Sequence, residues 1–384
     1  MIDLVEVKLK FDLEFVNTCL VVILVAILIT NVYLMNSLKG TVAAPKQTTP
    51  VVTSTPAKLA SVELIAVIPD CNECFNISAL LPQLKSLPGA NVTKQTVVNQ
   101  KDAKELIEKY GLTRLPALII AGEVSSLKLP PDFVKKDDAL VLEKLPPPYF
   151  DLATGSVKGT VSVKVLNAVS CTECKDLSAI VQQLKTAGVQ IDKQEVVNSQ
   201  QPAGIELIKK YNIKVLPTVI LSSDILEYPG LKESVEAVSE KAKDGSLVLV
   251  KVPPPYYELD SKKVRGNVDA VLLSDKSCTK CVNTSTVKQL FIQLFGLSIK
   301  SDKELDVSSD EAKKILSNYN ITKVPTILLS DEFTVYPASQ QWSELGTKED
   351  KWFVFKNVEL LGNFVEGNYK DLTANKEVEF VQSN

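Results

Sequence analysis

The chain has 384 residues, 45% hydrophobic and 23% charged, with 43 basic against 46 acidic side chains for a net charge of −3. That length allows two or three domains, and the composition excludes global disorder and collagen-like or mucin-like repeats. With no basic excess there is nothing to favour a nucleic-acid partner. Histidine is absent altogether. A Ser-His-Asp triad, a Cys-His nucleophile pair, a His-ligated zinc and a haem on a proximal His are therefore ruled out. The chemistry falls to thiols, carboxylates, amines and phenols.

Residues 1–14 form a short tail in which Asp3, Glu6, Asp12 and Glu14 outnumber Lys8 and Lys10. From 15 to 35 the chain reads FVNTCLVVILVAILITNVYLM without a charge, long enough as a helix to span roughly 30 Å of hydrocarbon. A cleaved signal peptide would need a basic start and a shorter apolar stretch, so this segment is expected to be an uncleaved single-pass anchor. Cys19 inside it is a small apolar filler. Residues 36–60, rich in Thr, Pro, Ala and Val, read as an extended solvated linker. Lysines flank both ends of the span, so charge alone does not orient it. The simplest topology leaves the large C-terminal part outside the cytoplasm. Asn76, Asn91, Asn283 and Asn320 each open an Asn-x-Ser/Thr triplet, a weak signal by itself.

The remainder repeats a single unit three times. Each copy opens on a β-branched run: VELIAVI from Val62, VSVKVL from Val161 and VDAVLL from Val268. Each run leads to a CxxC pair: Cys71/Cys74, Cys171/Cys174 and Cys278/Cys281. A helical stripe follows at Ile77, Leu80, Leu81 and Leu84, at Leu177, Ile180, Val181 and Leu184, and more loosely at Thr284, Val287, Phe291 and Leu294. This i, i+3, i+4, i+7 spacing predicts one buried helix face. A second short strand (TVVN, EVVN, LDVS) precedes a second stripe that ends at Tyr110, Tyr211 and Tyr319. Beyond each tyrosine a proline opens a third strand, at Pro116, Pro217 and Pro325. The order βαβαββ predicts a mixed sheet with helices on its faces. Domains are thus expected at 61–155, 156–262 and 263–384, the last with a C-terminal extension.

Between copies lie two Pro-Pro-Pro-Tyr seams, at Pro146–Pro148 and Pro253–Pro255. They are expected to run as stiff polyproline spacers. The segment after the third copy echoes the seam without starting a fourth unit. Trp342 and Trp352 read as packing residues.

A CxxC at a strand-to-helix junction is expected to put its first sulfur at a helix N-terminus, where free N–H groups and the helix dipole favour thiolate. That thiolate attacks disulfides, and the second cysteine resolves the mixed disulfide. In this arrangement the sequence resembles the thioredoxin superfamily. The resemblance rests on the strand–CxxC–helix–strand–helix–proline order and on the stretches YGLTRLPALI, YNIKVLPTVI and YNITKVPTIL. The gap from second cysteine to proline (74 to 116, 174 to 217, 281 to 325) is also nearly constant. The resemblance implies a cis bond before Pro116, Pro217 and Pro325, facing the cysteines and docking a client chain. Tandem copies outside the cytoplasm also resemble protein disulfide isomerases.

There are departures from that family. Asp70, Ser170 and Ser277 stand where it carries tryptophan, and Ile65, Val165 and Leu272 replace its buried acid. Glu73 and Glu173 should disfavour thiolates beside them, whereas Lys280 should favour one, so the third site is expected to be the most reactive. The reading is a membrane-anchored thiol–disulfide oxidoreductase with Cys71, Cys171 and Cys278 as nucleophiles and Cys74, Cys174 and Cys281 resolving. It calls for no cofactor and no metal. Its partners are client proteins with thiols or disulfides, a further redox partner and the membrane. The alternative is a redox-inactive scaffold or adaptor with structural disulfides; soft-metal binding by paired thiolates ranks below both.

Overall fold

A computed structural model describes residues 59–381, apart from positions 86, 88 and 128. The tail at 1–14, the expected span at 15–35 with Cys19, and nearly all of the linker at 36–60 lie outside the described residues. Among the described residues no helix is long and apolar enough to cross a membrane.

The chain is mixed α/β and builds three similar sheet-plus-helix repeats. The first holds β1 (Ala60–Ile68), α1 (Leu81–Leu84), β2 (Ala90–Asn99), α2 (Lys104–Lys109), β3 (Arg114–Leu115) and β4 (Ala117–Gly122). It continues through β5 (Val134–Lys136), β6 (Ala139–Leu142), β7 (Tyr149–Asp151) and β8 (Ser156–Lys158). A five-stranded sheet runs β2-β1-β4-β6-β5, and a three-stranded one runs β3-β7-β8. β1 and β2 are parallel, the pairing that requires a crossover with a helix between them. β1 is an interior strand covered on both faces, so Leu64, Ala66 and Val67 are all fully buried.

The second repeat has β9 (Thr160–Asn167), α3 (Ser178–Thr186), β10 (Gln190–Asn198), α4 (Pro202–Tyr211), β11 (Val215–Leu216) and β12 (Thr218–Leu221). Then come α5 (Pro229–Val238), β13 (Ser239–Lys241), β14 (Leu247–Leu249), β15 (Tyr256–Glu258) and β16 (Lys263–Arg265). The third has β17 (Asn267–Ser274), α6 (Thr284–Phe295), β18 (Ser298–Asp306), α7 (Asp310–Asn318), β19 (Lys323–Val324) and β20 (Thr326–Ser330). β21 (Gly346–Glu349), β22 (Trp352–Phe355), β23 (Asn368–Asp371) and β24 (Lys376–Glu379) finish the chain. Both repeats reproduce the two sheets of the first, strand for strand.

Three expectations change. The first helical stripe does not make a full helix. It is a 3₁₀ turn at Ile77–Ala79 followed by the single turn α1, because Pro82 lacks an N–H and is tolerated only at a helix start. In the second repeat the stripe behaves as read, with Leu177, Ile180, Val181 and Leu184 all buried.

The proline seams are not spacers. Pro148, Pro254 and Pro255 are buried, and the Pro147–Pro148 and Pro254–Pro255 bonds are cis. The strands that follow pair with β3 and β11. Two-residue β3 and β11 would otherwise leave backbone groups unpaired, and the seam hairpins satisfy them. The C-terminal extension is likewise no appendage, since β23–β24 pairs with β19 in the same way. βαβαββ is therefore only the front part of each unit. Trp342 does pack as read, at 2% exposure and edge-on to Phe291, Phe333 and Phe353.

A glycine joins consecutive repeats. Gly159 has φ +85°, and a Cβ there would collide with Pro147. Its N–H donates to Asp224 Oδ1 at 2.9 Å, and its carbonyl accepts from the Tyr228 hydroxyl at 2.7 Å. Gly266 repeats the joint at φ +91°, against Pro254, with Glu332 at 2.7 Å and Tyr336 at 2.7 Å. Gly159→Ala should therefore lower stability in urea unfolding by about 2–4 kcal/mol, from left-handed strain plus a rigid clash. Gly155→Ala, at φ +64° with nothing within 4 Å of the added methyl, should cost only about 1–2 kcal/mol.

Candidate functional site

Each CxxC lies in the loop after the first strand of its repeat's five-stranded sheet (β1, β9 or β17), and each is a disulfide: Cys71–Cys74, Cys171–Cys174 and Cys278–Cys281, with Cα atoms 5.4–5.5 Å apart. Cys71, Cys74, Cys171, Cys174 and Cys281 are half-buried. Cys278 is only 7% exposed.

The first sulfurs do not stand at helix N-termini. α3 begins at Ser178 and α6 at Thr284, each past the second cysteine. The amides there are taken by side chains two residues beyond that cysteine. Asn76 accepts from Ser78 N at 3.1 Å, Asp176 from Ser178 N at 2.8 Å and Asn283 from Thr286 N at 2.7 Å. The dipole acts over about one turn, so it does little at Cys71, Cys171 or Cys278. The signal was legible: Asn or Asp with Ser or Thr two or three residues on is a capping pattern that competes for those amides. Two of the four Asn-x-Ser/Thr triplets, at Asn76 and Asn283, are accounted for in this way.

What holds each loop is the closing hairpin, which sequence reasoning missed. Phe75 N, just after Cys74, donates to Pro148 O at 2.8 Å, and Lys175 N donates to Pro255 O at 2.9 Å. In the third repeat Val282 N donates to Asn368 O at 2.9 Å. The residues two and three positions after these carbonyls pair with the dipeptide before the proline: Leu115 with Phe150, Leu216 with Tyr257, and Val324 with Lys370. One hairpin thus ties the CxxC loop to the proline strand. The Leu115–Pro116, Leu216–Pro217 and Val324–Pro325 bonds are cis, and all three prolines are buried. Cys171 and Cys174 pack against the cluster that contains Leu216. The clue in the sequence was the shared pattern PPPYFD, PPPYYE and EGNYKD.

Charge and access separate the three sites. Glu73 Oε2 lies 3.8 Å from Cys71 Sγ, exposed to solvent. Glu173 is instead engaged by Asn267 Nδ2 of the next repeat, at 2.7 Å. The expectation that the third site is the most reactive meets an opposing effect. Burial of Cys278 disfavours a thiolate and blocks the approach of an attacking sulfur, against which a solvent-screened Lys280 weighs little. Val165 and Leu272, both buried, leave no acid behind the second and third sites. Among the described residues no group of three or more Cys, Asp or Glu side chains is placed to hold a metal.

Asp306 anchors the third loop. It accepts from Lys276 N at 2.8 Å and Ser308 N at 2.9 Å, and from the Ser308 hydroxyl. These bonds, the Ser308 hydroxyl first, hold its carboxyl down at about 2.

No protein-family model matches the chain, and no curated protein matches it. Among solved structures it is similar to the N-terminal domain of alkylhydroperoxide reductase AhpF from Enterococcus faecalis, at 12% identity and a TM-score of 0.15, covering 43% of this chain and 83% of that one. It is also similar to a protein disulfide oxidoreductase from Aeropyrum pernix, at 17% identity and a TM-score of 0.15, covering 45% and 77%. Zinc-bound human ERp44 aligns at 11% identity and a TM-score of 0.14, covering 74% and 85%. Likenesses this distant carry no weight beside the chain's own topology.

Two outcomes follow. A carboxylate at about 4 Å in a water-like medium disfavours a thiolate by about 1 kcal/mol. Glu73→Gln should therefore speed alkylation of reduced Cys71 about fivefold at pH 7, read by iodoacetamide kinetics. For Asp306 the folded value lies below the unfolded one of about 3.9. Its contribution is complete above that pH and lost as pH falls through about 2. The Lys276 amide resonance should shift with a midpoint near that value, and Asp306→Asn, which copies Asn99 and Asn198, should abolish the shift.

Proposed function

We propose that the three repeats are thioredoxin-like domains and that the protein exchanges disulfides with client proteins through Cys71/Cys74 and Cys171/Cys174. The observation that carries this reading is the paired placement in each repeat. A CxxC disulfide, its cysteines half-buried in the first two repeats, and a buried cis-proline strand are tied together by one hairpin. The order strand, CxxC, helix, strand, helix, cis-proline strand supports the same assignment.

The chemistry balances without a cofactor. With the protein reduced, the Cys71 thiolate attacks one sulfur of a client disulfide, the client S–S bond breaks, and one client thiolate leaves. The Cys74 thiolate then attacks Cys71 Sγ, the mixed disulfide breaks, and the second client thiolate leaves. The client gains two electrons and the protein becomes the Cys71–Cys74 disulfide, to be reduced again by a separate dithiol partner. Pro116 and Pro217 are the client-docking residues in this scheme, and Pro325 is their counterpart in the third repeat. Anchoring through residues 15–35, with the repeats in an oxidising compartment outside the cytoplasm, fits the three disulfides.

A structural role is favoured at the third site by one observation, the burial of Cys278. Insulin reduction driven by dithiothreitol separates the readings. Replacing Cys71 and Cys171 together by Ser should lower turnover at least tenfold, whereas Cys278→Ser should retain most of it. Cys74→Ser should accumulate a mixed disulfide with the client. Turnover that persists with all three first cysteines replaced would dismiss the enzymatic role in favour of the scaffold.

A further inference from the structure

Resting on the reading that these disulfides exchange, we infer that the residue of the closing hairpin facing each CxxC loop (Pro148, Pro255 or Asn368) sets how readily that disulfide opens, and that Asn368 keeps the third one closed. In all three repeats this residue's carbonyl accepts from the amide after the second cysteine. A proline can do no more, because it has no N–H to donate. Asn368 has one, and it donates to Lys280 O at 3.2 Å, between the two cysteines. Asn368 thus grips the loop on both sides of Cys281 and forms a parallel β-bridge with it. The first two loops are held from one side by this strand; the third is held from both.

The strap itself is well fastened. Gly367, at φ +135°, has no room for a side chain, since a Cβ would come within 2.9 Å of Val282 Cγ2. Its carbonyl accepts from Phe380 N at 3.0 Å, and Phe380 is buried against Tyr369 with ring centroids 5.5 Å apart. Cys278 is the least exposed of the six paired cysteines. An incoming thiolate must line up behind the scissile S–S bond, so the loop has to swing out before the buried Cys278 can be reached. In the third repeat that motion breaks one backbone hydrogen bond more than in the other two. Asn368 is a positioning residue, not a reacting one.

The test is partial reduction of the full chain by a small phosphine at pH 7, quenched by alkylation, with each pair read by peptide mass spectrometry. One backbone hydrogen bond changes an opening equilibrium about fivefold, and burial of Cys278 adds to it. The Cys278–Cys281 bond should therefore be reduced at least about tenfold more slowly than the other two. Asn368→Pro, which removes the donor, should speed it about fivefold and leave the first two unchanged. Asn368→Ala, which keeps the N–H, should leave it slow. Equal rates in the unaltered protein, or equal acceleration by Ala and Pro, would overturn the inference. Should Asn368→Pro unfold the third repeat, so that its disulfide opens without limit, the parent rates still decide, together with hydrogen exchange at the Asn368 amide. That amide must be protected, and exchange as fast as an exposed amide would overturn the claim. The assay is independent of clients. Ranked rates without insulin turnover would sink only the enzymatic reading, and turnover with equal rates only this one.

Discussion

A single backbone hydrogen bond recurs at the centre of every repeat: the amide after the second cysteine donates to a carbonyl of the closing hairpin, at 2.8 Å in the first copy and 2.9 Å in the other two. The loop that carries the sulfurs has no helix turn of its own to hold it, because the helix begins later and its first amides are already capped. Without the hairpin the segment after the second cysteine would lose its backbone tie to the strands. With it, the loop and the cis-proline strand become two sides of one structure.

The same hairpin solves a second problem. The two residues before each buried proline form a strand too short to pair in the main sheet, and proline itself supplies no donor. Laying the hairpin beside them satisfies those groups and turns the chain toward the next repeat. The glycine that ends the first two hairpins is pressed against the seam prolines on one side. On the other it is hydrogen-bonded by an acid and a tyrosine of the following unit. Site and joint are thus made from one segment, which explains why the sequence keeps that segment so similar from copy to copy. In the third copy the seam prolines are absent, and Asn368, a residue with an N–H, stands where Pro148 and Pro255 stand in the first two.

Three sites built on one plan have come to differ through a few side chains. Glu73 stands free beside its sulfur, Glu173 is drawn to the neighbouring repeat by Asn267, and Cys278 is covered. These differences are larger than those expected from the residues between the cysteines, because access and burial act on the thiolate directly, whereas exposed charges are screened by water.

Periodicity and spacing in the sequence determined the three repeats, the order of the strands, the buried face at Leu177–Leu184, and which cysteines pair. Those properties follow from local alternation of apolar and polar residues and from a separation of three residues, which leaves each cysteine few other partners. Tertiary structure alone decided that the proline seams are sheet strands. The partner that makes them so, a dipeptide some thirty to forty residues earlier, is invisible to any local pattern. It also decided that the helices start too late to activate the thiols and that one sulfur is hidden. Burial and hydrogen-bond competition belong to residues brought together from distant parts of the chain, and no window of sequence contains them both.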